Sequence, residues 1–226
     1  MPRFDVVLFD FDGTLADSEA VLVDLVNQAL ADRGHAAADA AWIAAHIGLP
    51  LERLMQTVAP QLDAAEVAAV CAGYRDRARE PEVVRRFLLF PGVREALFAL
   101  RDAGVRLAIT TSKNRGTTVD IVAHCGISGV LDAIFGGDSV TRGKPHPEMV
   151  ETALVHFGCV PERALLVGDT SFDIEMGQAA GVATCAVTWG MQPAAALRRL
   201  GPDFVIDRID QLVGFQMPSI PVNPGA

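Results

Sequence analysis

The sequence predicts an α/β protein with a Rossmann-like, three-layer core built on a parallel sheet, and with an α-helical domain inserted into that core. Three observations lead to this fold class. In the second half of the chain, short apolar runs alternate with segments of helical period. The apolar run 4–9 predicts a further buried strand near the start. Roughly 70 residues with only helical patterns separate that strand from the alternating part, which indicates an insert.

The insert is predicted to contain helices and no strand between residues 18 and 85. The predicted helices span residues 18–33, 42–47, 50–60 and 63–79. Pro50 suits the first position of its helix, where a missing N–H leaves no hydrogen bond unmade. Asp63 and Glu66 have the spacing of a capping box, in which each side chain binds the backbone N–H of the other residue.

Strands and helices alternate after residue 92. The predicted strands are 105–110, 133–135, 164–167 and 183–187, and the predicted helices are 93–103, 117–125, 147–157 and 173–180. Each of these helices stops just before a glycine, a residue that commonly ends helices. The alternation predicts parallel strands with helices on both faces of the sheet. We expect residues 1–16 and 86–216 to form the core, 17–85 the insert and the proline-rich segment 217–226 a loose tail.

The composition argues against several classes of partner. A formal net charge of −9 makes nucleic acid or an anionic membrane an unfavourable main partner. No stretch of about 18 apolar residues is present, and residues 1–15 lack the pattern of a signal peptide. The four cysteines are far apart, without the spacing of a zinc site. We therefore expect a cytoplasmic protein with reduced thiols. We also expect a monomer or homodimer that acts on a small metabolite, an expectation that does not come from the composition.

The most informative segment is the end of the first strand, Asp10-Phe11-Asp12-Gly13-Thr14. Side chains two apart on a strand point to the same side, so Asp10 and Asp12 emerge together while Phe11 faces away. Two crowded carboxylates repel each other unless a cation lies between them or one takes up a proton. The pair therefore indicates either Mg²⁺ chemistry or a nucleophile beside a general acid.

Polar residues also follow the other predicted strands. Thr111 and Ser112 follow the strand 105–110, Lys144 lies in the loop after 133–135, and Asp169 and Asp173 follow 164–167. Because the carboxyl ends of parallel strands meet at one edge of a sheet, we expect these residues to lie near Asp10 and Asp12.

These groups suit the hydrolysis of a phosphate monoester with Mg²⁺, which prefers oxygen ligands. Asp10 would attack phosphorus and form an aspartyl-phosphate. Asp12 would protonate the leaving oxygen and then act as base on the hydrolytic water. The metal would be held by Asp10, Asp169 and Asp173, the last directly or through water. The phosphoryl oxygens would be held by Thr111, Lys144 and the backbone N–H near Ser112.

In their order along the chain, these motifs resemble those of the haloacid dehalogenase superfamily of hydrolases. They are Asp10-Phe11-Asp12-Gly13-Thr14, Thr111 after an apolar strand, Lys144-Pro145, and Gly168-Asp169-Thr170-Ser171-Phe172-Asp173. The resemblance covers residues 4–210 and implies that the insert is the superfamily's C1 cap, which closes over the active site. It also implies that Asp12 contacts the metal through its backbone carbonyl.

Details within the motifs resemble the branch of phosphoglycolate phosphatases and pyrophosphatases. True dehalogenases typically lack the second acid, here Asp12, and phosphonatases supply a lysine from the cap, whereas the first lysine here is Lys113. Sugar phosphomutases tend to carry Glu where this chain has Gly168. The resemblance therefore implies a Mg²⁺-dependent phosphatase for a small phosphate monoester, with phosphoglycolate as the first candidate. A pyrophosphatase or a sugar phosphomutase is the alternative.

Several residues keep two interpretations. Gly48 lies in a turn between two insert helices, and in the resembled family this region reaches the active site. Arg53 either meets a substrate carboxylate or lies on a solvated helix face, and Lys113 is either a site residue or a solvated rim residue. Asp173 could cap the following helix, bind metal or do both.

A non-enzymatic receiver module is a further alternative for the protein as a whole. Receivers also surround an aspartyl-phosphate with acids, a hydroxyl and a lysine, but they lack the paired first-strand acids and the insert.

Overall fold

The structure is a computed structural model that describes residues 3–216. Its strands are β1 (Val6–Phe9), β2 (Ala16–Asp17), β3 (Leu88–Leu89), β4 (Arg106–Thr110), β5 (Ala133–Phe135), β6 (Ala164–Gly168), β7 (Ala183–Val187) and β8 (Phe204–Ile206). Its helices are α1 (Glu19–Ala31), α2 (Ala40–His46), α3 (Leu51–Val58), α4 (Ala64–Arg77), α5 (Pro81–Val84), α6 (Val93–Asp102), α7 (Arg115–His124), α8 (Glu148–Phe157), α9 (Ser171–Ala179), α10 (Ala194–Arg198) and α11 (Gln211–Gln216). The insert, α1–α5, lies between β2 and β3.

The central feature is a six-stranded sheet in the order β5-β4-β1-β6-β7-β8, with every pair parallel. β1 is an inner strand whose Val7 is in register with Leu107 of β4 and Leu165 of β6. All four residues of β1 are buried, as expected for a strand with helices on both faces of the sheet. The predicted α/β class with a parallel sheet is therefore confirmed, and β8 extends it by an edge strand that was not predicted.

The insert packs as a set of helices around α1 and α4. α1 buries a stripe at helical spacing, made of Val21, Leu22, Leu25, Val26, Ala29 and Leu30, and packs against α4. The predicted capping box is present at the start of α4: Asp63 Oδ1 accepts from the backbone N–H of Glu66 (2.9 Å), and Glu66 Oε2 accepts from that of Asp63 (3.0 Å). Tyr74 is among the buried residues of α4.

The chain crosses between core and insert at two neighbouring segments. β2 on the way out and β3 on the way back form a two-stranded antiparallel sheet, with Ala16 opposite Leu89. Just beyond it, Phe90 N–H donates to the carbonyl of Leu15 (3.0 Å). The two connections are therefore held side by side, directly after the motif that contains Asp10 and Asp12.

Three expectations concern the rest of the chain. The predicted loose tail, 217–226, lies outside the described residues. All four cysteines are free, as expected, and three of them are buried. Within residues 3–216, every helix is too short or too polar to cross a membrane.

Candidate active site

The ends of four parallel strands bring the predicted site residues together. Asp10 follows β1, Thr111 follows β4, Lys144 lies in the loop after β5, and Asp169 follows β6. These four residues and Asp173 on α9 are all at most 3% exposed, an unusual burial for so many polar groups. Phe11, between the two motif acids, is fully buried in the hydrophobic core, as the alternation of strand side chains predicts.

Lys144 joins two of the acids. Its Nζ lies 2.7 Å from Asp10 Oδ1 and 2.6 Å from Asp173 Oδ1, and its side chain has no exposed surface. Burial alone would lower the pKa of Lys144, but the charges of Asp10 and Asp173 outweigh it and raise that pKa. Lys144 is therefore a permanently charged group at the centre of the acids.

Asp173 also belongs to the start of α9. Its Oδ2 accepts from the backbone N–H (3.1 Å) and the hydroxyl (2.6 Å) of Thr170, which is the N-cap residue. Asp173 is therefore not the N-cap residue of α9. It is the third helical residue and forms a capping box with the N-cap residue Thr170. Its other oxygen remains directed at Lys144.

Asp169 is held from two sides by the chain itself. The Thr14 hydroxyl donates to its Oδ1 (2.8 Å), and the backbone N–H of Met191 donates to its Oδ2 (2.9 Å). A Cβ on Gly13 would lie 2.2 Å from Asp169 Oδ2, and a Cβ on Gly190 would lie 2.2 Å from Asp169 Cβ. Both positions therefore need glycine, and at Gly13 the φ of +81° adds a second reason.

Three carboxylates form a group that fits a divalent cation. Asp10, Asp169 and Asp173 each offer one oxygen atom, and these atoms lie within 4.8 Å of one another. Counting three carboxylates (−3) and Lys144 (+1), the group carries a charge of −2 if all are ionised, which Mg²⁺ would balance. The oxygen donors and this charge both suit Mg²⁺. The Asp12 carboxylate is not part of the group.

The pKa values of Asp169 and Asp10 are raised, so their ionised forms are disfavoured when no cation is bound. Burial, with a contribution from Asp173, raises the pKa of Asp169 to about 7, despite the opposing hydrogen bonds. Burial also raises the pKa of Asp10 well above its ordinary value, although Lys144 opposes the shift. A bound cation would favour the ionised form of both carboxyl groups.

Replacing Gly190 with alanine is expected to weaken Mg²⁺ binding by about 10- to 100-fold, because the new Cβ would push Asp169 out of position. Titration calorimetry of metal-free protein with Mg²⁺ would measure the change. Gly73→Ala is the matched control, since a Cβ on that α4 residue meets nothing within 4 Å. An unchanged affinity in the Gly190 variant would contradict the assignment of Asp169 to the metal site.

Asp12 is paired with a lysine of its own. Its Oδ2 lies 3.2 Å from Lys113 Nζ, whereas its Oδ1 is buried and has no hydrogen-bond partner within residues 3–216. The Lys113 side chain is only 6% exposed, and its Nζ lies 4.9 Å from the ring centroid of Phe87. Lys113 is therefore a buried site residue and not a solvated rim residue.

The predicted phosphate-binding residues lie on the same edge. Thr111 is buried, its backbone N–H donates to the carbonyl of Phe135 (3.0 Å), and its Oγ1 accepts from the N–H of Lys113 (3.2 Å). Ser112 donates its hydroxyl to the carbonyl of Gly48 in the insert (2.6 Å). The insert is thus in direct contact with the loop after β4.

A cavity of about 250 Å³ separates this edge from the insert. Its core side includes Asp10, Asp12, Thr111, Ser112, Lys113, Asn114, Thr117 and Asp138. Its insert side is largely apolar and includes Leu22, Ile47, Gly48, Leu49, Pro50, Leu51, Leu54, Tyr74 and Ala78, together with the charged residues Glu52 and Arg75. The cavity therefore has a polar and charged wall on the core side and a largely apolar wall on the insert side, where the charged residues Glu52 and Arg75 are paired with each other.

The insert residues expected near substrate differ in their placement. Gly48 lines the cavity, and a Cβ there would lie 3.2 Å from the side chains of Phe172 and Thr170. Arg53 does not line it: the buried face of α3 is formed by Leu54, Met55 and Val58, and Arg53 is exposed. The expectation that Arg53 meets a substrate is therefore not supported.

Several site residues were not expected from the sequence. The side chain of Thr14 and the backbone N–H of Met191 hold Asp169, and only Thr14 carries a sequence signal, its place in the first motif. Asp138, expected to be an ordinary loop residue, accepts from Asn114 Nδ2 and from the N–H of Arg115 (both 2.8 Å) and so fixes the loop after β4.

The chain belongs to the haloacid dehalogenase-like hydrolase family, whose model matches residues 7–187. Relatives in this family are named phosphatases, and the prediction of an enzyme of this phosphatase class is confirmed. A phosphoglycolate phosphatase of Cupriavidus necator is 34% identical over 219 residues, which cover 94% of this chain and 93% of the relative. Pyrophosphatase PpaX of Oceanobacillus iheyensis is 37% identical over 124 residues, 55% of this chain and 58% of the relative.

The fold is also found among solved structures. A hydrolase of the haloacid dehalogenase-like family from Streptococcus pneumoniae superposes with a TM-score of 0.82. It is 27% identical in sequence, and the match covers 94% of this chain and 98% of the other. The helical insert and the parallel sheet therefore both fall within the matched region.

Proposed function

We propose that this protein is a Mg²⁺-dependent phosphatase that hydrolyses a small phosphate monoester through an aspartyl-phosphate on Asp10. The observation that carries the proposal is the position of Asp10. It belongs to the carboxylate group suited to a divalent cation, it lies 2.7 Å from Lys144, and it also lines the cavity. A carboxylate in this position can reach the phosphorus of a bound ester. Lys144 and the proposed metal ion would stabilise the negative charge of the phosphoryl oxygens there.

In the first step, an oxygen of Asp10 attacks phosphorus and the bond from phosphorus to the leaving oxygen breaks. Asp12 gives its proton to that leaving oxygen, and its unpartnered Oδ1 supports this role. In the second step, Asp12 takes a proton from water as the water oxygen attacks phosphorus; the bond from phosphorus to the Asp10 oxygen breaks, which regenerates the Asp10 carboxylate and frees inorganic phosphate. The metal, when bound, neutralises negative charge on the phosphoryl group.

The remaining residues position the phosphoryl group. Lys144 supplies a fixed positive charge, and the Thr111 hydroxyl lies on the cavity wall. The backbone N–H of Ser112 has no acceptor within the described residues and is free to donate to a phosphoryl oxygen. We assign metal binding to Asp10, Asp169, Asp173 and the backbone carbonyl of Asp12.

The insert acts as the cap in this proposal. Its loop at Gly48 contacts Ser112, and its apolar side chains cover the cavity. Such a cover keeps water away from the reacting groups until the acyl phosphate has formed. The cavity of about 250 Å³ lies below the ~300–1,000 Å³ typical of pockets for drug-sized ligands, which favours a small substrate.

Phosphoglycolate is the first candidate substrate and pyrophosphate the second, since relatives carry both names. The test is a panel of phosphoglycolate, pyrophosphate, sugar phosphates and nucleotides, assayed for phosphate release with and without Mg²⁺. We expect release that requires Mg²⁺ and is fastest for a small ester. Transfer of the phosphoryl group to a sugar without release would indicate a phosphomutase, and a stable phosphoprotein without turnover would indicate a receiver-like module.

A further inference from the structure

We propose that Lys113 and Tyr74 bind a negative charge on the leaving part of the substrate, so that the enzyme selects phosphate esters or anhydrides with an anionic group next to the leaving oxygen. This inference rests on the proposed function and names the substrate class within it. The anionic group would be a carboxylate or a second phosphate.

Lys113 has more hydrogen-bonding capacity than the protein uses. Its side chain is 6% exposed, and its Nζ contacts one carboxylate, Asp12 Oδ2, at 3.2 Å. An ammonium group has three donors, so two have no acceptor within residues 3–216. Buried donors without partners are costly, which indicates that a ligand in the cavity accepts from them.

Tyr74 approaches from the opposite wall. It lies on α4, is 8% exposed, lines the cavity and makes no hydrogen bond with its hydroxyl to any described residue. Burial raises the pKa of Tyr74, although the nearby charge of Lys113 opposes the shift. Its hydroxyl is therefore protonated and can donate to an anion that Lys113 also contacts.

The position of Asp12 sets the distance between the reacting oxygen and this anion site. If Asp12 protonates the leaving oxygen, that oxygen lies within about 3 Å of the Asp12 carboxylate. Lys113 Nζ is 3.2 Å from the same carboxylate. An anionic group whose central atom lies one or two bonds beyond the leaving oxygen then falls within reach of Lys113. The carboxylate of phosphoglycolate and the second phosphate of pyrophosphate both meet this condition, whereas the leaving group of a sugar phosphate carries no charge.

The rest of the cavity offers no comparable anion site. Arg75 also lines the cavity, but it is already paired with Glu52, and both side chains are about half exposed (43% and 55%). The Glu52 carboxylate would repel an incoming anion. The apolar side chains of the insert strengthen the attraction between Lys113 and a bound anion by excluding water.

The test compares phosphoglycolate with its neutral amide, phosphoglycolamide, which has nearly the same shape. The wild-type enzyme is expected to prefer phosphoglycolate by about 30-fold or more in kcat/KM. Lys113→Met should lower kcat/KM for phosphoglycolate by about the same factor and change the value for the amide much less. Arg33→Met is the matched control, because Arg33 is exposed on the insert and does not line the cavity.

A second variant keeps the Lys113–Asp12 pair intact. Tyr74→Phe should lower kcat/KM for phosphoglycolate by about 5-fold and leave the amide unaffected. Thermal unfolding would show that each variant is folded. Equal losses for both substrates in the Lys113 variant would mean that Lys113 acts only through Asp12, and equal rates for both substrates with wild type would also overturn the inference. If wild type releases no phosphate from any ester, the proposed function fails, which is a separate result.

Discussion

Replacing Asp10 with asparagine is expected to abolish turnover, with a loss of at least about 10⁴-fold in kcat. The amide of asparagine has almost the same shape as the carboxylate but cannot attack phosphorus. The change also removes one of the two carboxylates paired with Lys144 and one of the three proposed to hold the metal. The loss should therefore appear with every substrate, because the missing group acts on phosphorus itself and not on the leaving part.

Phosphate release at saturating Mg²⁺ would measure this effect. Asp76→Asn is a suitable control, because Asp76 is exposed on α4, lies outside the cavity lining and makes no ion pair within the described residues. It should retain wild-type activity. If the Asp10 variant kept more than about one hundredth of that activity, a different nucleophile would have to be found.

Replacing Lys144 with methionine is expected to affect both stability and activity. Lys144 is fully buried between Asp10 and Asp173, so its removal leaves carboxylates crowded without their cation. Breaking a buried ion pair in this way costs about 3–5 kcal/mol of unfolding free energy. Activity should fall by about 10³-fold or more, since the fixed charge beside the phosphoryl group is lost.

Urea unfolding of metal-free protein, repeated with Mg²⁺, would measure the stability effect. Mg²⁺ should recover part of the loss, because a ligand that binds the folded state stabilises it. Lys144→Arg keeps the charge and should lose less stability than Lys144→Met. Equal stability of wild type and Lys144→Met without Mg²⁺ would mean that the carboxyl groups are protonated there and that Lys144 has little effect on folding.

Much of the fold follows from local sequence patterns. The buried run of β1, the glycines that end the core helices and the capping box at Asp63 each predicted an element that the structure contains. β8, α5 and α10 were not predicted; they have three to five residues each, which gives only a weak periodic pattern, although the equally short β5 was predicted. The meeting of acids at the sheet edge followed from topology, since parallel strands place their carboxyl ends together.

The parts of the site that the sequence did not predict depend on contacts between distant segments. The sequence left Lys113 open between a site residue and a solvated rim residue, because its burial depends on Phe87, on the return from the insert, and on its pairing with Asp12. The requirement for glycine at position 190 depends on the Asp169 side chain, which leaves no space for a Cβ there, and the sequence does not show that contact. The sequence left two interpretations of Arg53 open because the rotation of α3 about its axis decides which side chains face the cavity, and a turn signal before the helix does not fix that rotation; the structure places Arg53 on the exposed face.

The paired connections β2 and β3 have a consequence for how this enzyme can change over evolution. Because Ala16 is opposite Leu89, the two ends of the insert lie about 5 Å apart, the spacing of neighbouring strands. A segment of any length can be exchanged between such ends without spreading the sheet. The part of the substrate cavity that the insert contributes, with Tyr74, is thus encoded in one stretch of the gene, so that new specificities can arise by replacing the insert while Asp10, Lys144 and Asp169 remain unchanged.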